Sequence, residues 1–387
     1  MEFEFWWLLV PPLFFALGWL AARIDIKQLL NESRRLPTAY YKGVNYLLNS
    51  QEELAINAFV EIIKTNPDSV ELNFALGNLF RRKGELDRAI LIHQKLLQRN
   101  DLTAEDRLLS QYELALDYLK SGLLDRAEES LKSLQNTRMA RVASGHLLDI
   151  YQQEKQWEKA ISVANGMANA DYSFQHEVAQ FYCELAQKEA ANSQPQAARS
   201  LLDQALATHR KCTRANILLG DIEMSSGNAE TAIAVWQRIE SQDARYLSLV
   251  GNKLIEAFRS LGKLNEGVLL LRSYQVNYPD LDLLEVIHQS LVETDGPEVA
   301  REYVYTGLRG NTGLLGLNTL LQAEALLTPP ERQKDIEVIR SLVQENTRKL
   351  AMYQCSACGF RARQYYWQCP GCAGWETYPP KLGAQAG

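Results

Sequence analysis

The 387-residue sequence lacks the recurrent signatures of catalysis. It has no Gly-rich phosphate loop, no Gly-x-Ser-x-Gly and no His-Glu-x-x-His. Without a nucleotide loop, any energy-driven step must come from a partner, and no enzymatic activity is expected. Histidine is scarce. The five histidines, His93, His146, His176, His209 and His288, fall one per repeat unit at most. None sits with a Ser or Cys and an Asp in a pattern that marks a nucleophile, so each reads as a helix-face or interhelical residue. A basic excess is also missing: 41 Lys and Arg stand against 47 Asp and Glu, for a net charge of -6. That excludes the footprint of a nucleic-acid binder. A composition of 46% hydrophobic and 23% charged residues excludes wholesale disorder. Cysteine is absent from most of the chain. Of six, four lie within Cys355 to Cys372, while Cys183 and Cys212 are isolated in helical patterns and read as small buried residues. This distribution argues against a disulfide framework and for a metal site in a reducing compartment.

Charge is missing altogether from residues 5–22, FWWLLVPPLFFALGWLAA. As a helix these 18 residues reach roughly 27 Å, close to the thickness of a bilayer's hydrocarbon core. Trp6, Trp7 and Trp19 stand near the ends, where indole rings prefer the membrane interface. A cleaved signal peptide needs a basic leader, but here Glu2 and Glu4 precede the apolar run and Arg23, Lys27, Arg34 and Arg35 follow it. The pattern therefore predicts an uncleaved single-pass anchor over residues 1–22 with a periplasmic N-terminus. A short polar linker over 23–36 follows, and the rest of the chain is cytoplasmic.

What the chain has in abundance is a repeat. LGNLFRRKGELDRAILIHQKLL, from Leu76 to Leu97, reads as two amphipathic helices broken at Lys83-Gly84, with Ala89 where the helices approach closely. These spacings are the tetratricopeptide (TPR) signature. The small residue of the second helix recurs at Ala55, Ala89, Ala127, Ala160, Ala198, Ala232, Gly267 and Ala300, in steps of 34, 38, 33, 38, 34, 35 and 33. The turn glycine recurs at Gly84, Gly122, Gly227 and Gly262. Residues 313–350 read as one more helix pair, broken at Thr328-Pro329-Pro330. An array of about eight to nine units over residues 37–350 is expected, with first helices lining a groove that binds peptides or proteins.

The position three before the first small residue is predicted to face that groove: Tyr40, Phe74, Tyr112, Gly145, Cys183, Ile217, Asn252 and Glu285. Co-chaperone TPR domains that clamp a C-terminal carboxylate need Lys there with Asn four later. No unit has the Lys, and only the second has the Asn, at Asn78. Arg81 and Arg82 are candidates to meet an acidic partner, or else a solvated helix end. The candidate groove residues are thus Tyr40, Phe74, Asn78, Arg81, Arg82 and Tyr112.

The C-terminal stretch YQCSACGFRARQYYWQCPGCAGWETY holds two Cys-x-x-Cys pairs, Cys355/Cys358 and Cys369/Cys372, ten residues apart. Each pair fits a knuckle in which two thiolates take one edge of a tetrahedron. Four thiolates this close require a divalent ion. Zinc is favoured and iron is possible. The knuckles resemble rubredoxin, although this module, set at residues 353–380 with a tail at 381–387, is shorter and has Ala373 where the second rubredoxin knuckle has Gly. A closed four-thiolate site has no open position for hydrolytic chemistry, so its role is structural. Tyr365, Tyr366, Trp367 and Trp375 are expected to pack around the metal or against the last TPR helix.

GNLFRRKGELDRAILIHQ (Gly77 to Gln94), HEVAQFYCELA (His176 to Ala186) and YQCSACGF…YWQCPGC, in their order behind an apolar N-terminus, resemble the lipopolysaccharide assembly protein B family over the whole chain. The departures are Pro11-Pro12 in the anchor and variable insertions in the array. The resemblance implies an all-α TPR superhelical solenoid with a single transmembrane helix and a small rubredoxin-like four-cysteine ribbon. It implies a regulatory adaptor at the inner membrane of a Gram-negative cell, promoting degradation of the LpxC deacetylase by the FtsH-type membrane protease. It further implies an inner-membrane antagonist, other lipopolysaccharide assembly proteins as partners, and docking of the ribbon on the array. Self-association is open. Two other readings stay open: a non-proteolytic scaffold for lipopolysaccharide proteins, and a rubredoxin-like electron carrier.

Overall fold

The computed structural model describes residues 15, 18–19, 38–65, 67–167, 174–308, 314–349 and 353–378. Apart from the helical Phe15, Gly18 and Trp19, the expected anchor, the linker at 23–36 and the tail at 381–387 lie outside the described residues. Among the described residues no helix is long and apolar enough to cross a membrane. The chain divides into two compact units, Met1–Glu154 and Lys155–Gly387.

The first unit is a run of helices: α1 (Thr38–Leu48), α2 (Glu52–Thr65), α3 (Val70–Lys83), α4 (Leu86–Leu97), α5 (Ala104–Lys120), α6 (Leu124–Ser133) and α7 (Ala140–Gln153). Their ends follow local chemistry. The Ser69 hydroxyl accepts from the Leu72 N–H at 3.3 Å to open α3, and the Thr103 hydroxyl accepts from the Asp106 N–H at 3.1 Å to open α5. Gly84, at φ 86°, closes α3 in the left-handed region, where a side chain is strained. Apolar faces then meet: Ala55, Phe59, Ile62, Leu72, Leu76, Leu79, Phe80 and Ala89 form one buried cluster. Gly77 lets the His93 ring of α4 lie against α3, and a Cβ there would strike the ring.

The second unit continues with α8 (Trp157–Met167), α9 (Gln175–Ala191), α10 (Pro195–Thr208), α11 (Thr213–Ser225) and α12 (Ala229–Asp243). A 3-10 helix, Ala244–Leu249, leads into α13 (Gly251–Ser260), α14 (Leu264–Asn277), α15 (Leu284–Thr294), α16 (Pro297–Leu308), α17 (Leu314–Leu327) and α18 (Pro330–Lys349). The last pair breaks at Thr328 and Pro329, as the two prolines require. Its core centres on Trp236, Tyr246, Leu254, Leu271, Tyr274, Ile287 and Leu291. Gly220 repeats the role of Gly77, giving room to the Trp236 indole, whose Nε1–H donates to the Ile217 carbonyl at 3.1 Å.

All eight small residues of the repeat alignment are buried, with Ala55, Ala89, Ala127, Ala160, Ala198, Ala232 and Ala300 fully enclosed. The turns without glycine close the same way. Ser50, Lys155 and Ser193 take φ of 57°, 57° and 60°. A small ribbon follows, with β1 (Tyr353–Gln354) antiparallel to β2 (Arg361–Ala362), Tyr353 facing Ala362 and Gln354 facing Arg361.

Candidate metal centre and its dock on the array

The two Cys-x-x-Cys knuckles are built alike. In the first, the Gly359 N–H donates to the Cys355 carbonyl at 3.0 Å, and in the second the Ala373 N–H donates to the Cys369 carbonyl at 2.8 Å. The turning residues Gly359 and Ala373 have φ of 76° and 57°. So the position where rubredoxin has Gly takes the same backbone here with Ala, at a cost of about 1 kcal/mol. Cys355 and Cys369 are buried, while Cys358 and Cys372 are exposed.

The four sulfurs lie within 4.8 Å of one another. Cys355 Sγ is 3.8 Å from Cys372 Sγ, and Cys358 Sγ is 3.7 Å from Cys369 Sγ. A metal–sulfur bond of about 2.3 Å makes the edge of a sulfur tetrahedron about 3.8 Å. A disulfide needs about 2.05 Å. The separations therefore fit a four-thiolate ion and not a pair of disulfides. The chemistry of the donors agrees. Burial raises the Cys355 thiol, but the Thr377 hydroxyl and the N–H groups of Cys358 and Ala357 outweigh it and bring it down to about 6. At Cys358 the Phe360 N–H favours the thiolate, yet burial and the neighbouring thiols prevail and push it up to about 12. A cation between the sulfurs would offset the repulsion of thiolates held this close. Cys355, Cys358, Cys369 and Cys372 would hold it, and it would supply folding energy to a module whose own buried cluster is three residues.

The ribbon is seated on the middle of the second unit, not on its last helix. Trp367 stacks on Tyr246 of the 3-10 helix at 5.4 Å and 5°. Tyr365 meets Trp367 edge-on at 4.9 Å and Tyr246 at 6.4 Å. Trp375 stands edge-on to both Trp157 of α8 and Phe181 of α9, at 6.0 Å from each, and those two rings stack on one another at 5.6 Å. Arg214 of α11 lies under Trp367 and Trp375, at 5.6 and 5.7 Å. Tyr366 stays with the metal cage, against Tyr378, and Tyr365 packs against both the cage and the bed. Of the two expected settings, Tyr365 and Tyr366 take the one around the cage, while Trp367 and Trp375 lie on α8, α9 and the 3-10 helix in place of the last helix, because the aromatic bed that suits indole rings is there.

One carboxylate locks this bed. Glu376 Oε2 meets His176 Nε2 at 2.8 Å, and Glu376 Oε1 accepts from Gln180 Nε2 at 2.7 Å. Glu376 sits at φ 52°, a strained backbone that its two charge-assisted contacts offset. It raises His176 above the ordinary histidine value by hydrogen bonding to it, while burial lowers the neighbouring His209.

Comparisons with known proteins bear on this geometry. Residues 353–380 match a family model described as a rubredoxin metal-binding domain, and residues 49–102 and 189–252 match tetratricopeptide repeat models. Lipopolysaccharide assembly protein B of Escherichia coli strain K12 is 34% identical over 379 residues, covering 97% of both chains. The protein of the same name from Haemophilus influenzae is 30% identical over 389 residues, covering 96% of this chain and 97% of its own. The chain belongs to the lipopolysaccharide assembly protein B family.

Of the three stretches that carry the family resemblance, His176 to Ala186 is the helix face under the ribbon, through His176, Gln180 and Phe181. Gly77 to Gln94 holds a different device. Arg81 Nη1 donates to Asp117 Oδ1 at 2.9 Å, and Arg81 Nη2 donates to Glu113 Oε2 at 2.5 Å and to Asn78 Oδ1 at 2.5 Å. The other oxygen of Asp117 meets His93 Nδ1 at 2.6 Å, with both side chains fully buried. Arg81, a candidate for an acidic partner, and Asn78, a groove candidate, are thus half-buried and engaged inside the first unit. Arg82 is 64% exposed and pairs with Glu52 at 3.0 Å. Among the other groove candidates, Phe74 is buried, against the His93 ring. Tyr112 is half-buried and its hydroxyl meets His146 Nε2 at 3.0 Å. Tyr40 packs edge-on to Phe59. Cys183 and Ile217 are buried as well, packed in the cores of the second unit, whereas Gly145 is half-buried and Asn252 and Glu285 are exposed.

Proposed function

We propose that the chain is a regulatory adaptor of lipopolysaccharide biosynthesis, not an enzyme. In this reading residues 1–22 anchor it in the inner membrane with the N-terminus periplasmic. Residues 23–36 hold the array of residues 37–350 and the ribbon of residues 353–380 close to the cytoplasmic surface. The array holds the LpxC deacetylase beside an FtsH-type membrane protease and so promotes degradation of the deacetylase. An inner-membrane antagonist opposes it through the anchor, and other lipopolysaccharide assembly proteins share its surface. The observation that carries the reading is similarity to lipopolysaccharide assembly protein B along nearly the full length of both chains. A tether suffices for such a task, because it raises the local concentration of substrate at the protease without new chemistry.

The cation in this reading is a structural zinc ion, with iron the other occupant that four thiolates suit. Elemental analysis with the visible spectrum separates the two, since only iron colours the site. The half-buried Tyr40 and Tyr112 and the exposed Arg82 belong to the partner surface. The test of the whole is the half-life of LpxC after synthesis is blocked, in cells with this chain and in cells depleted of it. Marked stabilisation on depletion is expected. An unchanged half-life would remove the proteolytic role and leave a scaffold for the lipopolysaccharide proteins.

A further inference from the structure

The first unit leaves no cysteine in its core, but the second places two side by side. Cys183 of α9 and Cys212 are both fully enclosed, and their sulfurs are 3.8 Å apart. Cys212 is the residue that caps α11, so its sulfur sits at the positive end of a helix of 13 residues. That sulfur accepts from Gln180 Nε2 at 3.7 Å. Gln180 is the same side chain that donates to Glu376 of the ribbon. The two thiols therefore lie one side chain beneath the ribbon's lock, and neither belongs to the metal cage.

We propose that Cys183 and Cys212 form a redox-active dithiol that a hydroperoxide converts to a disulfide, loosening the ribbon from its dock. The roles follow from the surroundings. The hydrogen bond from Cys183 lowers the Cys212 thiol against the effect of burial, whereas burial and its bond to Cys212 raise Cys183. The Cys212 thiolate attacks one peroxide oxygen, the O–O bond breaks, and the leaving oxide takes a proton to depart as water or an alcohol. Cys183 sulfur then attacks the sulfenic sulfur of Cys212, the S–O bond breaks, and the Cys183 proton leaves with the hydroxide as water. Two thiols lose two electrons and the peroxide gains them. The sulfurs close from 3.8 Å to a bond of about 2.05 Å. Gln180 then loses the sulfur that helps fix it, and Glu376 loses a fixed donor.

The full-length, metal-loaded chain treated with hydrogen peroxide, then unfolded in an alkylating agent and mapped by mass spectrometry, tests this directly. The expected product is a peptide pair joining Cys183 to Cys212, lighter by two hydrogens and restored by dithiothreitol. In C183S the reaction should stop at a sulfenic acid on Cys212 that dimedone traps, and in C212S no product should form on Cys183. Hydrogen exchange across residues 353–378 should quicken in the oxidised wild type and return on reduction. Recovery of both residues as free thiols, or oxidation confined to the four ribbon cysteines, would overturn the dithiol. A disulfide that leaves ribbon exchange unchanged would overturn its link to the dock.

Discussion

The two units spend their polar side chains on helix faces in opposite ways. In the first, Arg81, Asn78, Glu113, Asp117 and His93 are turned on one another, and the network fastens α3, α4 and α5 together. In the second, His176 and Gln180 are turned on a different part of the chain and receive Glu376, while Arg214, held by Glu184 and Gln187 of α9, offers its face to Trp367 and Trp375. The same repeat thus serves as a self-contained block in one half and as a receptor in the other. What decides between them is whether a carboxylate arrives from the next helix, as at Asp117, or from the ribbon, as at Glu376.

That contrast can be broken from either side. The largest effect is expected from the cage. Removing the ion with a chelator, or making Cys355→Ser with Cys358→Ser, withdraws binding energy on the order of 10 kcal/mol from the ribbon. Hydrogen exchange should then show residues 353–378 unfolded and the bed around Trp157, Phe181 and Tyr246 exposed, with residues 38–153 unchanged. Spread of the damage to the first unit would refute its independence. Next is Asp117→Ala, which strands buried His93 and leaves Arg81 with Glu113 and Asn78. A loss of about 3–5 kcal/mol, read by denaturant unfolding of the first unit, is expected, with the ribbon still docked. Glu376→Gln comes third. It removes the charge from the lock and should weaken docking by about 2 kcal/mol, seen as faster exchange of the ribbon with the metal retained.

The pH dependence sharpens the same point. His176 is raised from 6.5 by Glu376, so its contribution is fully present below 6.5 and is lost as pH climbs through the raised value. Wild-type ribbon exchange should therefore speed up across that window, and Glu376→Gln should flatten the curve. A rise of equal size in the variant would show that another group controls it. The smallest effect is Ala373→Gly, which relieves the left-handed turn at φ 57° and should stabilise the ribbon by less than about 1 kcal/mol.

Much of the array is legible from spacing alone, because a residue squeezed between two helices must be small whatever surrounds it. That is why Ala55 through Ala300 mark the buried seam. The four-cysteine cage is legible for a similar reason, since two residues between cysteines fix the knuckle. Turns were harder. Ser50, Lys155 and Ser193 adopt the left-handed geometry without glycine, so the fifth unit, which turns at Ser193, carries no turn signal. The groove was harder still. Phe74 and Cys183 stand at positions that seem outward by period but are covered by neighbouring helices. Arg81 is indistinguishable in sequence from the exposed Arg82, and only Asp117, in another repeat, separates them. The run of ribbon aromatics hinted at a dock, but its location on the array left no local trace, because Glu376 meets a His176 that is 200 residues away.

That separation has a consequence in time. A ribosome adds roughly 5–20 residues each second, so about 10–40 s pass between the synthesis of His176 and that of Glu376. Throughout that interval the helices of the second unit can fold on their local contacts, while the aromatic bed stays uncovered and open to whatever nascent-chain factors bind apolar surface. The ribbon closes it only once made and loaded with its ion. A chain cut short before Cys372, or grown without metal, would carry that bed bare, and the proteases that survey such surfaces would meet it first.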